Sequence, residues 1–422
     1  MSEAAAPVAN GTSAAAPTAN GTSATAAPAG DGTSAAAART ARAERDAWLA
    51  ALDYDRAPFT IAWELTRACA YACVHCRATA QPQRDPAELS TAEAHDLIDR
   101  LAGFGTRPIL VLTGGDPLMR RDVFDIAAHA NERGLRVSLT PTATALPTRA
   151  RMAQARESGI RRVAFSIDAA EPAAHDAFRG FRGSFARTLR AMDAARAEGL
   201  ALQINTTVCT RNADELERLA DQLVAWGLVQ WSVFFLVPTG RGRGLEMLSA
   251  EGHERVLGWL HDLRDRVPFD IKATAAPQFR RIAAQRARAR GQDPATAAGA
   301  GYRFGDGLDR PVRGVNDGRG FMFVSHRGGI TPSGFLPLAA GNVRRTDPVE
   351  VYRDAPLFRN LRDPTLLKGK CGVCEFREVC GGSRARAYAV TGDTLASDPS
   401  CPYVPAALRG GAQPVGGASP GR

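Results

Sequence analysis

The sequence predicts an α/β fold: a partial (β/α)6 TIM-like barrel with a small C-terminal domain of different character. Three observations carry this expectation. Six short apolar, β-branched runs punctuate residues 59–238, segments of helical periodicity lie between them, and several of those segments end in Gly. Such alternation gives βα repeats and a parallel sheet. Six units suit a curved, open sheet better than a closed eight-fold barrel.

In order, the predicted strands cover 59–65, 108–113, 135–139, 162–167, 202–208 and 231–237. Helical segments are expected at 91–104, 121–133, 148–158, 184–198 and 213–226, with Gly134, Gly159, Gly199 and Gly227 as C-caps. After residue 240 the pattern changes to a helical segment at 245–265, a basic stretch and a Gly/Ala-rich connection at 291–307. A β-like piece at 321–325 and a hairpin turn at 328–334 precede a loop-rich remainder. The expected boundaries are a tail over 1–45, a core over 55–240, a connecting region over 241–310, a C-terminal domain over 311–405 and a second tail over 406–422.

Composition narrows the class. Of 422 residues, 45% are hydrophobic and 23% charged, as in ordinary soluble globular proteins. The first tail reads as low-complexity and disordered, being nearly all Ala, Pro, Gly, Thr, Ser and Asn with repeats at Asn10, Asn20 and Asp31. The longest strongly apolar run, 231–238, falls far short of the ~18 residues of a membrane span. No basic n-region or unbroken apolar core suggests a signal peptide. A cytoplasmic protein without a membrane role is expected.

The net charge of +9 is concentrated, since Lys272, Arg280, Arg281, Arg286, Arg288 and Arg290 share one stretch that holds no acid. Two readings stand: a solvated helix face, or a binding edge for a small anionic substrate. A nucleic-acid surface would interleave basic and aromatic residues along more of the chain, so no nucleic-acid partner is expected.

The eight cysteines fall into three groups. Cys69, Cys73 and Cys76 form a C-x3-C-x2-C run; Cys371, Cys374, Cys380 and Cys401 form C-x2-C-x5-C-x20-C; Cys209 stands alone in an apolar strand, where packing is the default role. Reduced cytosolic thiols at such spacing point to metal rather than disulfides. Iron–sulfur clusters take thiolate ligands, and three Cys on one loop leave one iron of a [4Fe-4S] cluster open. S-adenosylmethionine can chelate that iron, and one electron then releases a 5′-deoxyadenosyl radical. The competing reading is structural zinc, with His75 or His95 as fourth ligand. Each candidate motif follows a strand, where parallel βα folds gather their chemistry.

The Cys69-x3-Cys73-x2-Cys76 run resembles the signature of the radical S-adenosylmethionine superfamily, and Gly114-Gly115-Asp116-Pro117 resembles its methionine-binding glycine motif. Here Asp stands where many members carry Glu. The resemblance, over about residues 59–240, implies that His75 lies against the adenine. It also implies that Ser166, Asp168 and Asn205 meet the methionine carboxylate or the ribose; the alternative for these three is polar residues finishing a strand.

The set Cys371, Cys374, Cys380 and Cys401 resembles the C-terminal SPASM or twitch region and implies one fully ligated auxiliary [4Fe-4S] cluster, with zinc again the rival. The segments Val74-His75-Cys76-Arg77-Ala78, Ser333-Gly334-Phe335-Leu336-Pro337 and Cys380-Gly381-Gly382-Ser383-Arg384-Ala385-Arg386 resemble the haem-biosynthesis branch. That branch implies oxidative decarboxylation of porphyrin propionates, an iron porphyrin substrate and an external one-electron donor such as flavodoxin or ferredoxin. Arg280, Arg281, Arg384 and Arg386 are then candidate carboxylate partners. His326 is a candidate haem axial ligand, with a turn histidine as the plainer reading. The rivals are a maturase acting on a ribosomally made peptide and a non-catalytic iron–sulfur or haem carrier.

Overall fold

The structure, a computed structural model, describes residues 52–293 and 314–409 together with Thr40. The expected first tail apart from Thr40, most of the Gly/Ala-rich connection, and the second tail beyond Arg409 lie outside the described residues.

All six predicted runs are strands: β1 (Thr60–Thr66), β2 (Ile109–Gly114), β3 (Arg136–Leu139), β4 (Arg162–Ser166), β5 (Ala201–Val208) and β6 (Gln230–Phe235). Each pairs in parallel with the next. Between them run α1 (Thr91–Ala102), α2 (Val123–Glu132), α3 (Arg149–Glu157), α4 (Pro172–Arg179), α5 (Ser184–Ala197) and α6 (Leu216–Ala225). Helix α1 shows why the chain turns helical where it does. Ser90 Oγ accepts from the Glu93 amide at 3.2 Å while Glu93 Oε2 accepts from the Ser90 amide at 2.8 Å, a reciprocal cap on two end donors. Ala94, Leu97, Ile98 and Leu101 then fall on one buried face.

The sheet is wider than six strands. After α7 (Ala250–Leu263), β7 (Asp270–Thr274) adds in parallel to β6, and α8 (Gln278–Ala289) follows. Then β8 (Phe321–Val324) adds in parallel to β1, and β9 (Gly329–Thr331) and β10 (Gly341–Asn342) continue antiparallel. The order is β10-β9-β8-β1-β2-β3-β4-β5-β6-β7. Among the described residues no ladder joins β7 to β8, so the barrel is partial.

Strand alternation separates packing from function. Leu202, Ile204, Thr206 and Val208 of β5 are buried, whereas Gln203, Asn205 and Thr207 are partly accessible and line cavities inside the barrel. The outer faces, with Ile61, Trp63 and Leu65 of β1, pack into one continuous core with Leu97, Ile98, Leu219 and Leu223 of the helices. Beyond β10 come α9 (Pro348–Asp354), α10 (Pro356–Arg362), α11 (Gly369–Gly372) and α12 (Arg384–Thr391), with Cys371 in α11, Cys374 and Cys380 between α11 and α12, and Cys401 after α12.

Candidate active site

The loop after β1 carries Cys69, Cys73 and Cys76, and the glycine turn after β2 is locked beneath it. The Gly115 amide donates to Thr66 O at 2.8 Å and the Asp116 amide to Ala68 O at 2.7 Å. A Cβ on Gly114 would lie 2.3 Å from Thr66 O, and one on Gly115 would lie 2.4 Å from Ala68 O. Only glycine permits that approach. The two glycines therefore act on the cysteine loop itself as well as on whatever fills the space above it.

A cavity of about 190 Å³ opens there, lined by all three cysteines, His75, Gly114, Gly115, Ser166 and Asn205. Asp116, Pro117 and Asp168 do not line it. Asp116 is wholly buried and accepts from the Leu118 amide at 3.1 Å, the Thr142 amide at 3.4 Å and the Thr144 hydroxyl at 3.0 Å. Burial lifts its carboxyl to about 6. The Asp that replaces the usual Glu thus ties the end of β2 to the loop after β3. Pro117 opens a short buried 3-10 turn. Asp168 stands one layer back, accepting from the Thr207 amide at 2.8 Å and lying 3.4 Å from Arg179 Nη1.

Arg179, which the sequence did not single out, lines the same cavity at the end of α4. Its Nη1 is 3.3 Å from His75 Nε2. Burial opposes its charge, and Cys73 and Asp168 lead the groups that outweigh burial and hold the guanidinium protonated. His75 packs against Phe178 with ring centroids 4.6 Å apart, burial pushes it down to about 4, and its buried Nδ1 has no partner. Three buried or half-buried thiols, an orphaned imidazole nitrogen and an arginine around one void fit a thiolate cluster with a carboxylate-bearing ligand. A single zinc ion fits less well: among the described residues no three His, Cys, Asp or Glu side chains gather closely enough to hold one ion. His95 is instead stacked on His129 at 4.3 Å, with its Nε2 3.2 Å from Asp125 Oδ2.

A second cavity, about 320 Å³, fills the barrel below and shares Arg77, Thr113, Thr140, Asn205, Phe234 and Phe335 with the first. Phe321, Phe323 and Ile271 supply apolar walls, and Lys272, Arg264 and Arg280 supply a basic edge.

The structure separates the four arginines expected to meet a carboxylate. Arg280 lines the barrel cavity. Arg281 pairs with Glu254 and lies over Tyr403 at 4.9 Å. Arg384 donates to the carbonyls of Gly382, Thr394 and Ala396 at 3.2, 3.0 and 2.7 Å. Arg386 pairs with Asp398 and donates to Phe235, Leu236 and Ala275 carbonyls. The last three brace the C-terminal loops, where Cys371, Cys374, Cys380 and Cys401 line one small void of about 20 Å³ together with Arg281. His326 is buried between Glu64, at 2.9 Å, and Asp85, at 3.5 Å, and meets neither cavity. Cys209 is buried in the core beside Phe178 and Leu236.

A model of the radical SAM superfamily matches residues 63–223. The AdoMet-dependent heme synthase of Methanosarcina barkeri is 43% identical over 349 residues, 83% of this chain and 97% of that one. The chain belongs to the radical SAM superfamily. The AdoMet-dependent heme synthase of Nitratidesulfovibrio vulgaris is likewise 43% identical, over 82% of this chain and 92% of that one. In fold, this radical SAM enzyme is similar to Streptococcus suis SuiB bound to the precursor peptide SuiA, with a TM-score of 0.63 at 15% identity over 89% of this chain and 82% of that one. Among the described residues no helix is long and apolar enough to cross a membrane.

In a radical SAM enzyme the bound [4Fe-4S] cluster supplies the electron that cleaves S-adenosylmethionine and starts hydrogen abstraction from an unactivated carbon. The protein's own residues do the holding. Cys69, Cys73 and Cys76 would ligate iron, while Gly114 and Gly115 set the height of their loop. Ser166, Asn205 and Thr207 offer hydroxyl and amide groups at the strand ends. Arg179 would take a carboxylate, with Asp168 fixing its orientation. Nothing in sequence spacing marked Arg179, because α4 is short and begins at a proline; an arginine directly before Gly180 was the available signal.

Proposed function

We propose that this enzyme oxidatively decarboxylates propionate side chains of an iron porphyrin, the haem synthase chemistry named for its relatives. The observation that carries the reading is the apolar barrel cavity with its basic edge of Lys272, Arg264 and Arg280, sharing a wall with the cavity over the cysteine triad. Apolar walls suit a porphyrin plane and cations suit its carboxylates. Hydrogen leaves a propionate carbon, carbon dioxide and one electron follow, and a vinyl group remains. Cys69, Cys73 and Cys76 hold the catalytic cluster, and Cys371, Cys374, Cys380 and Cys401 hold an auxiliary [4Fe-4S] cluster that takes the electron. An external carrier of the flavodoxin or ferredoxin class reduces the first cluster.

The division into a core over 55–240, a connecting region over 241–310 and an iron–sulfur domain over 311–405 is part of this reading. Eight unpaired cysteines support a reducing, cytoplasmic setting. The test is anaerobic reconstitution with iron and sulfide, followed by incubation with S-adenosylmethionine, dithionite and iron coproporphyrin III. Vinyl-bearing haem detected by mass spectrometry is the expected result. Deoxyadenosine formed beside an unchanged porphyrin would refute the haem reading and favour a peptide substrate.

A further inference from the structure

One charged residue belongs to both cavities. Of the six side chains on the shared wall, Arg77 alone carries charge among the described residues. It follows Cys76 directly, yet its guanidinium is held by residues distant in sequence. Nη1 donates to Glu64 Oε2 at 2.9 Å. Glu64 is fully buried on the inner face of β1 and also accepts from Arg67 at 3.0 Å and His326 at 2.9 Å. One face of the guanidinium covers the Phe323 ring at 4.6 Å. Gly334 closes on the same contact, where a Cβ would sit 2.9 Å from Arg77 Cζ and Nε and 3.1 Å from Phe323 Cε2. The guanidinium is therefore stacked on an aromatic ring with a glycine at the edge of that contact, and one arm is tied. The remaining donors have no partner among the described residues, and the side chain is 19% exposed, toward the cavities.

With S-adenosylmethionine in the cavity over the cysteine triad and the porphyrin in the barrel cavity, hydrogen would leave a carbon that faces the wall the two cavities share. In a propionate, the carboxylate that departs is two bonds from the ring-side carbon, so it lies within reach of that same wall. Lys272, Arg264 and Arg280 line the barrel cavity and not the upper one. We infer that Arg77 is a substrate-positioning residue that pairs with the carboxylate about to leave, while Lys272, Arg264 and Arg280 hold the carboxylates that stay. The inference rests on the haem reading proposed above. In the reacting side chain a C–H bond breaks and its hydrogen atom joins the deoxyadenosyl carbon. The bond to the carboxylate carbon then breaks, carbon dioxide departs from Arg77, the vinyl double bond forms, and one electron passes to a one-electron acceptor of the iron–sulfur class. Glu64 keeps one arm of Arg77 occupied, so the pairing is one-sided and ends when the carboxylate becomes neutral carbon dioxide.

The test compares the wild type with Arg77→Gln and Arg77→Lys, titrating the Soret band with iron coproporphyrin III and with haem b, which lacks the reacting carboxylates. The wild type is expected to prefer the propionate-bearing porphyrin by about tenfold, the size of one charge-assisted pair. Arg77→Gln should abolish that preference and lower vinyl formed per deoxyadenosine by about tenfold or more, and Arg77→Lys should restore part of both. An unaltered preference and ratio in Arg77→Gln would overturn the inference. So would loss of cluster iron in both variants, which would make Arg77 a brace for the cysteine loop. A wild type that binds neither porphyrin would remove the haem reading itself, a result separable from a fault in Arg77.

Discussion

Arg386 Nη1 lies 3.2 Å from Asp398 Oδ2, and neither side chain is exposed at all. The pair joins α12 to the loop before Cys401, and the guanidinium also reaches carbonyls at the end of β6 and after β7. It therefore pins the four-cysteine region to the barrel. Arg386→Ala removes the cation beside buried Asp398, which keeps only the hydrogen bonds from Gln278, Ser383 and Ser400, a loss that costs up to about 3–5 kcal/mol. Chemical denaturation and iron counting should show lower stability and the loss of iron assigned to the C-terminal cysteines. Wild-type stability and iron content in this variant would remove Arg386 from that role.

Asp116 gives a pH-dependent prediction. Burial raises its carboxyl from the ordinary 3.8 to about 6, so the folded state favours the protonated form. Its contribution is most favourable below pH 3.8, declines as pH rises and is lost above about 6. The rise is worth about 3 kcal/mol. The unfolding free energy of Asp116→Asn minus that of wild type should therefore increase between pH 4 and pH 7. A difference that stays flat over this range would show Asp116 to titrate normally.

Gly114 and Gly115 are expected to tolerate nothing larger, because the atoms a Cβ would strike are backbone oxygens of the cysteine loop. Gly115→Ala should displace that loop, reduce iron incorporation at the triad and lower deoxyadenosine formation by about tenfold or more. Normal iron and normal cleavage would mean the loop can move aside.

Arg179 is expected to hold the carboxylate of S-adenosylmethionine. Arg179→Gln removes the charge beside His75 and leaves Asp168 without its cationic neighbour. The dissociation constant for S-adenosylmethionine should rise by about tenfold, measured by equilibrium dialysis on the reconstituted enzyme. An unchanged constant would assign Arg179 to loop packing alone.

Much of this architecture is legible in the sequence, and its gaps have physical causes. Strands β1 to β6 announce themselves because their outer faces enter one apolar core. Strand β7 reads Asp270-Ile271-Lys272-Ala273-Thr274, too polar to look like a core strand, because part of it faces the basic edge of the barrel cavity. Strand β8 is visible as a β-like piece, but its pairing with β1 is a contact between distant segments that no local pattern encodes. The cysteines and glycines of the site are legible because their chemistry needs those residue types at short spacing. Arg280 and Arg281 look alike in sequence, yet neighbours on a helix point about 100° apart, so one faces the cavity and the other Glu254. Arg384 and Arg386 look like substrate partners in the sequence because sequence displays charge and conceals burial.

In the proposed reaction hydrogen leaves a propionate carbon of an iron porphyrin. Iron coproporphyrin III deuterated at the propionate carbons next to the ring, turned over anaerobically with S-adenosylmethionine and dithionite, tests it most directly. Deuterium should appear in 5′-deoxyadenosine in step with vinyl formation. Unlabelled 5′-deoxyadenosine beside a fully deuterated, unreacted porphyrin would contradict the account.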